Sequence, residues 1–423
     1  MMTQAFYTGI TGIQTNATGI DIISDNLANI DTVGFKGTGY EFSNMYQSML
    51  NTPNESPTGS SVNSGIGTGV RLQATPLIKQ TGTLIPTDRS TDLAILGDGW
   101  FGMLGEGDPI YTRDGAFTFD SNTDLVSVDG LYVLGSMGGN ISDNNVLTQT
   151  LDDVPLGDIN SQEKLHFPKT LTYPPEASSL AKFYGNIGTD DETRTMGASV
   201  VDPENNKNHL QIQFTKVATQ TPPGSQWDVV ATTKSIDDTI IYDTQTGVVN
   251  FDSSGALVST TLSNIDNNGA LVNIDLGTGF NGVTAVSNTP ISSSNTANGT
   301  IGGDLMGYDI NKNGVVIATF TNGIQSSVGR IAVYHFQNDQ GLDRLNGSRF
   351  QSTSNSGDAI FFQDANGNNV IGSDITNFNL EGSNISMSYG LTELIILQRA
   401  YDANSKSITT ADEMMQKALN MDA

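Results

Sequence analysis

The two ends of the chain carry apolar residues at the seven-residue spacing of a coiled coil, with a polar, glycine-rich sequence between them. In the first segment the apolar stripe consists of Phe6, Ile10, Ile13, Ala17, Ile20 and Leu27, and Ser24 fills the remaining position. In the last segment it consists of Leu394, Leu397, Tyr401, Ile408, Ala411, Met415 and Ala418, with Asn404 as its polar member. We therefore expect a helix at each end of the chain.

The sequence between the two ends predicts β-structure. Leu210, Ile212 and Phe214 alternate with polar residues, and the segment 252–255 is a turn between two short apolar runs. Stretches rich in Gly, Ser and Asn, at 51–69 and 287–303, are typical of crossings between domains. The predicted fold class is mainly β with α-helical termini, in a discontinuous multi-domain chain.

An isolated pair of terminal helices would be only marginally stable. Each apolar side chain of the stripes contributes roughly 1.5–3 kcal/mol to stability if it is fully buried. Ordering each helical residue costs roughly 1–2 kcal/mol. Neighbouring subunits would supply the missing burial. The alternative is that the helices simply dock on their own domain.

Charge and composition exclude several classes of partner. The 423-residue chain has a formal net charge of −26 and no cysteine. Nucleic-acid binding requires clustered Lys and Arg, and the same acidic field opposes anionic membranes, so neither partner is expected. Residues 1–30 contain no Lys or Arg and include Asp21 and Asp25, which is unlike a cleaved secretory signal. No apolar run is long enough to cross a bilayer.

Three local motifs suggest chemistry but have simpler explanations. Gly97, Gly99 and Gly102 spell G-x-G-x-x-G, yet the glycines and proline that follow cannot open the helix of a dinucleotide site, so a tight turn with Trp100 and Phe101 in the core is expected. The segments starting at Asp309 and Asp364 resemble half of a calcium loop but lack its closing Glu, which predicts turns.

The three histidines, His166, His209 and His335, have no second histidine at ligand spacing and no nearby nucleophile motif. We therefore predict no catalytic residue, no metal and no cofactor, and a protein that is not an enzyme.

Four segments in order carry a family resemblance: SDNLANIDTVGFKG (24–37), TDLAILGDGWFGM (91–103), YTRDGAFTFD (111–120) and LQRAYDANSKSITTADEMMQKALNM (397–421). They resemble the signature segments of the bacterial flagellar axial family, which builds the rod and the hook. The segment 311–357 is similar to the returning β segment of the hook members. About 150 inserted residues also favour a hook member over a rod member.

This resemblance implies a structural subunit of the hook that self-assembles into a curved, flexible tube and transmits motor torque. It implies an extracellular location in the flagellum, export without a cleaved signal, and as partners further copies of the chain, rod, hook-cap and hook–filament junction proteins and the export apparatus. The stripe ending near Leu27 would pack on the helix from Leu391 to Leu419 and on copies from adjacent subunits, so both apolar stripes would be assembly surfaces. Asn29, Gly34, Phe35, Gly97 and Gly99 would form motif turns and crossings.

The implied domains are 1–30 with 383–423 (inner helices), 31–70 (an extended connection), 71–145 with 300–382 (a β domain) and 146–299 (an inserted outer β domain). Two alternatives stay open. One is a rod or hook-like paralogue, and the other is a secreted carbohydrate-binding or hydrolytic β protein, which has no need for terminal heptads.

Overall fold

The two chain ends meet as a pair of helices. The computed structural model describes residues 2–47, 66–105, 107–190, 192–220, 224–346 and 348–421. Helix α1 spans Met2–Ala28 and helix α2 spans Met387–Met421, and the two pack against each other. The predicted fold class, β-rich with helical termini, is confirmed. Neither described helix is long and apolar enough to span a membrane.

A hairpin follows α1 and lies alongside it. It consists of β1 (Glu41–Gln47) and β2 (Ile66–Ala74), paired antiparallel. The extended connection expected over 31–70 thus contains paired strands at 41–47 and 66–70, a pairing that the prediction did not include. Residues 51–65 of the predicted crossing lie outside the described residues. The hairpin was missed because β1 lacks a regular apolar alternation, so its pairing partner, rather than its own pattern, defines it.

The first passage through the main β-structure runs from β3 to β11. These strands are β3 Leu84–Pro86, β4 Leu93–Leu96, β5 Trp100–Leu104, β6 Ile110–Thr112, β7 Phe117–Phe119, β8 Leu125–Ser127, β9 Tyr132–Met137, β10 Glu163–Lys164 and β11 Thr172–Tyr173. A 3₁₀ turn spans Ile159–Ser161.

An inserted unit, which we define as residues 180–297, contains β12 to β22. These strands are β12 Leu180–Asn186, β13 Arg194–Val201, β14 Lys207–Lys216, β15 Ser225–Ser235, β16 Ile241–Phe251, β17 Leu257–Thr260, β18 Asn264–Asn267, β19 Ala270–Asp275, β20 Gly277–Thr278, β21 Asn281–Thr284 and β22 Ser292–Ala297. A five-stranded antiparallel sheet and a six-stranded mixed sheet enclose one core around Trp227, Phe183 and Phe214.

The returning passage runs from β23 to β32. These strands are β23 Gly303–Ile310, β24 Val315–Phe320, β25 Gln325–Ile331, β26 Val333–Tyr334, β27 Asp343–Arg344, β28 Arg349–Gln351, β29 Phe362–Gln363, β30 Asn369–Val370, β31 Asp374–Asn377 and β32 Asn379–Glu381. A second 3₁₀ turn spans Asp339–Gly341.

The first and returning passages interleave in one 13-stranded sheet, the large sheet. Strand β25 pairs with β9, and β28 pairs with β6, so the sheet forms only when the chain has returned from the inserted unit. Two further short pairs, β3 with β32 and β4 with β31, tie the two passages together beside it.

The inserted unit begins later than the predicted residue 146. Leu147, Leu165, Phe167 and Leu171 are buried in the core of the large sheet, and β11 pairs with β23. The predicted boundary at 146 thus differs from the structure by about thirty residues, whereas that near 300 lies within a few residues of it. Short irregular strands between 146 and 173 carry no pattern that separates one core from the other.

Candidate assembly surface and the junction beneath it

Helix α1 brings three of its glycines against side chains of α2. A Cβ atom on Gly9 would lie 2.7 Å from Ile408 Cγ1, and one on Gly12 would lie 2.6 Å from Asn404 Nδ2. A Cβ on Gly19 would lie 3.0 Å from Leu397 Cδ1. The absence of side chains at these positions therefore allows the two helices to approach closely.

Apart from Thr15, which bonds to β2, the buried residues of α1 do follow a seven-residue spacing, but one position earlier than predicted. Gly9, Asn16 and Ile23 form one row, and Gly12, Gly19 and Asn26 form the other, and all six are buried. The predicted period is right and its register as the α2-facing stripe is wrong, because a hydrophobicity pattern gives no weight to glycine and asparagine.

The predicted α1 stripe consequently flanks the α2 contact and stays partly open to solvent. Ile10 is 39% exposed, and Phe6, Ile13, Ala17, Ile20 and Leu27 are half-buried. Leu27 also reaches α2, since a Cβ on Gly390 would lie 2.9 Å from its Cδ2. These residues are thus available to a neighbouring molecule, and their role in assembly stays a prediction.

On α2 the predicted stripe lies closer to the observed contact. Leu397 and Ala411 are buried, and Leu394, Asn404, Ile408 and Met415 are half-buried. Tyr401 is 38% exposed and Ala418 is exposed. Further large apolar side chains of α2 are exposed outside this stripe: Met387, Tyr389, Leu391, Ile395, Ile396 and Met414.

The chain leaves α1 through a turn that requires glycine. The Asn29 amide donates to the Asp25 backbone oxygen at 2.9 Å, and Gly34 has a φ of +65°. A Cβ on Gly34 would lie 2.4 Å from the Asp114 backbone nitrogen. Phe35 is buried beneath the Arg344 guanidinium, 4.9 Å from its ring centre. This geometry agrees with the turn expected of Gly34.

A buried ion-pair cluster joins the segment after α1, residues 29–38, to the large sheet and to β32, the strand before α2. Glu381 accepts from Lys36 Nζ at 2.7 Å and from Arg113 at 3.1 Å, and all three side chains are almost fully buried. Its backbone oxygen accepts from Gly34 N at 2.7 Å. Burial lowers the pKa of Lys36, although the Glu381 carboxylate opposes that shift. We call Lys36, Arg113 and Glu381 the junction cluster.

Two asparagines, one near the end of α1 and one just before α2, hydrogen-bond to the backbone of residues 37 and 38. Asn26 donates to the Thr38 oxygen at 2.7 Å and accepts from the Thr38 nitrogen at 2.9 Å. Asn384 accepts from Gly37 N at 2.8 Å and donates to Ile78 O at 2.8 Å. Sequence reasoning missed these amides and the junction cluster, and the partners of Glu381 and Asn384 lie hundreds of residues away in the chain.

The glycine-rich segment after β4 is a turn between strands, as predicted. Gly97 and Gly99 have φ values of +108° and +125°, and a Cβ on Gly99 would lie 2.5 Å from Val333 Cγ1. Trp100 and Phe101 are buried in β5. Strand β5 follows directly, so this segment does not open the helix that binds a dinucleotide.

The two calcium-like segments are also turns. Asn311 Oδ1 accepts from the backbone nitrogens of Asn313 and Val315 at 2.9 and 3.0 Å. Asp364 Oδ1 accepts from those of Asn366 and Asn368 at 2.8 and 2.9 Å. These oxygens serve the backbone of each turn. Within the described residues no group of three or more acidic, His or Cys side chains is placed to hold a metal ion.

The histidines lie in different surroundings. His335 is buried, with Nε2 2.6 Å from the Ile371 oxygen, His166 is half exposed beside Asp124 at 2.7 Å, and His209 is exposed in the inserted unit. Each agrees with the predicted packed or surface role.

Three family models match separate parts of the chain. The model described as flagella basal body rod protein matches residues 6–36, the flagellar hook protein FlgE/F/G D1 domain matches 94–178, and the flagellar basal body rod FlgEFG protein C-terminal model matches 377–421. The class that they define is that of flagellar rod and hook proteins, and the second match ends where the inserted unit begins.

Full-length relatives specify the family. The chain is 30% identical over 427 residues to the flagellar hook protein FlgE of Brucella suis biovar 1 (strain 1330), with 98% of each chain covered. It is 28% identical over 448 residues to that of Escherichia coli (strain K12), covering 99% of this chain and 100% of the relative. The chain belongs to the flagellar hook protein FlgE family.

A solved structure shares the fold. The crystal structure of Helicobacter pylori flagellar hook protein FlgE2 has a TM-score of 0.52, at 16% identity over 70% of this chain and 100% of that one. This comparison supports the fold alone.

Proposed function

We propose that the chain is a structural, non-enzymatic subunit of the flagellar hook, which polymerises into a curved tube that transmits torque. The observation that carries this proposal is the half-exposed apolar stripe on α1 beside the α2 contact. A soluble monomer gains nothing from a regular apolar stripe that its own helix partner leaves open, whereas a polymer buries it in every copy.

The proposal extends to location and partners. The subunit would act outside the cell, in the hook of the flagellum, after export without a cleaved signal. It would contact copies of itself along the tube, and rod, hook-cap and hook–filament junction proteins and the export apparatus during assembly. Family membership and the acidic, cysteine-free sequence support this extension.

Electron microscopy of the purified protein under polymerising conditions tests the proposal. We expect tubes from the wild type and none from Ile10→Asp, because a carboxylate on the stripe would be buried unpaired in every copy. Gln14→Glu, one turn away at an exposed position, adds the same charge outside the stripe and should still form tubes. Failure of the wild type to polymerise would contradict the proposal.

A further inference from the structure

The two edges of the β1–β2 hairpin differ in what covers them. Along β2, the Thr15 hydroxyl donates to the Val70 backbone oxygen at 3.2 Å, and the Val70 N–H donates to the Thr11 hydroxyl at 3.4 Å. Two threonines of α1 therefore hydrogen-bond to both backbone groups of Val70. Because both backbone groups of Val70 point to α1, they point away from β1.

The orientation of Val70 determines where the backbone groups of the opposite residue on β1 point. In an antiparallel pair, two directly opposite residues either exchange both backbone hydrogen bonds or both point away from each other. Asn44 lies directly opposite Val70, and Phe42 lies opposite Leu72 in the same unbroken register. The backbone N–H and C=O groups of Asn44 and Phe42 thus point to the outer side of β1.

Within the part of the chain that the structure describes, the outer side of β1 is a free strand edge. Among the described residues, β1 pairs with β2 alone, and no hydrogen bond reaches the outward backbone groups of Phe42 or Asn44. The strand contains no Lys or Pro, the usual devices that prevent an edge from pairing with another chain. An edge of this kind is a template for a further strand.

Charge indicates what kind of strand can approach. The chain has a formal net charge of −26, so two copies repel each other over most of their surfaces. Glu41 is the only charged residue of β1, at its first position. Helix α1, whose apolar stripe is half-exposed, contacts the hairpin mainly through β2. A second copy can therefore approach here without placing carboxylates opposite one another.

We propose that the free edge of β1 accepts an extended segment of a second copy of this chain, which adds a strand to the hairpin in the polymer. The inference rests on the proposed function, since it assumes a homopolymer. The contact joins two different surfaces and is therefore heterologous, and it builds an open helical polymer when its rotation does not close a ring. Backbone hydrogen bonds at Asn44 would fix the register of neighbouring subunits, while the apolar stripes supply buried area.

Asn44→Pro tests the proposal, with Asn44→Ala as the matched control. Proline removes the outward N–H but no bond to β2, and it is accepted at edge positions of this kind. Alanine removes the same side chain and keeps the N–H. We expect Asn44→Pro to raise the critical concentration for polymerisation about tenfold or more, the effect of one lost backbone hydrogen bond and its unpaired acceptor, and Asn44→Ala to leave it nearly unchanged.

Hydrogen exchange supplies a second measurement that does not depend on the fold of a variant. In the wild-type monomer the Asn44 amide should exchange freely, and in the wild-type polymer it should be protected. Equal polymerisation of the two variants, or an unprotected Asn44 amide in the polymer, would overturn the β1 pairing and leave the proposed function intact. A wild type that does not polymerise would overturn both.

Discussion

At the scale of single residues, Glu381 is the single acidic member of the junction cluster, and its neighbours in the sequence do not indicate this role. It compensates two buried cations, Lys36 and Arg113, and also accepts from the Gly82 backbone nitrogen at 2.9 Å. Removing one member of a buried ion cluster leaves the other charges unpaired in a medium that solvates them poorly, and that penalty exceeds the net contribution of the intact pair.

We therefore expect Glu381→Gln to lower the free energy of unfolding by about 3 kcal/mol. Asp153→Asn, which removes an ion pair with Arg330 at 3.0 Å whose carboxylate is 61% exposed, should cost under about 1 kcal/mol. Denaturant unfolding of both variants measures the difference. Equal small losses would show that the junction cluster is not a buried electrostatic network.

Tyr111 gives the fold a dependence on alkaline pH. It is 4% exposed and packs edge-on against Phe336 at 4.8 Å, and burial, aided by Asp358 and Asp108, raises its pKa to about 12. The unfolded chain ionises this tyrosine near pH 10, but the folded chain does not. The stabilisation is therefore complete below pH 10 and is lost as the pH rises through 12.

We expect Tyr111→Phe to reduce the fall in unfolding free energy between pH 10 and pH 12 by about 2 kcal/mol, which follows from the size of the pKa shift. Chemical denaturation at a series of pH values measures it. A variant with the same slope as the wild type would show that Tyr111 is not responsible.

At the scale of elements, the sequence predicted what depends on local pattern and missed what depends on pairing. The turns at 97–99, 311–314 and 364–367 follow from Gly, Asn and Asp at short spacings, and they form as predicted. The seven-residue period of α1 also follows from the sequence. Its register does not, because the face of α1 that contacts α2 is the one with glycines at the contact positions. The junction cluster joins residues 36, 113 and 381, a proximity that only the completed fold creates.

The glycine contact between α1 and α2 makes a prediction with an unusual sign. Gly→Ala within a helix normally stabilises it by about 1 kcal/mol. Gly12→Ala should instead destabilise the helix pair, because the new methyl group would meet the Asn404 side chain within 3 Å. Thermal unfolding followed by helical circular dichroism measures this change.

Asn404→Ala is the matched partner in a double-mutant cycle. With the obstructing amide removed, Gly12→Ala should become neutral or stabilising, so the two substitutions should be coupled by about 1–2 kcal/mol. Additive effects would mean that the helices separate without cost and that close approach is not what the glycines provide.

At the scale of the whole molecule, the inserted unit is attached through two adjacent strands of chain. Glu176 and Thr300 exchange backbone hydrogen bonds of 2.8 and 2.9 Å, so the chain enters and leaves the unit at one place. The two cores also share no residue: the inserted unit is built around Trp227, and the large sheet around residues before 174 and after 309. The unit is thus an addition to a fold that closes without it.

Replacing residues 178–298 with a short Gly-Ser linker should leave the large sheet folded, because the adjacent ends at Glu176 and Thr300 need little chain to connect them. The chain has two tryptophans, Trp100 in the large sheet and Trp227 in the inserted unit, so the deletion leaves Trp100 as the only indole reporter. We expect its fluorescence to remain that of a buried indole and to change in one cooperative transition, as in full-length Trp227→Phe.

Because both helices and the β1 edge are retained, the variant should also polymerise, into thinner tubes than the wild type. An indole exposed to water at low temperature would mean that the two cores depend on each other, and that the inserted unit is part of the scaffold that holds the junction and the helices in place.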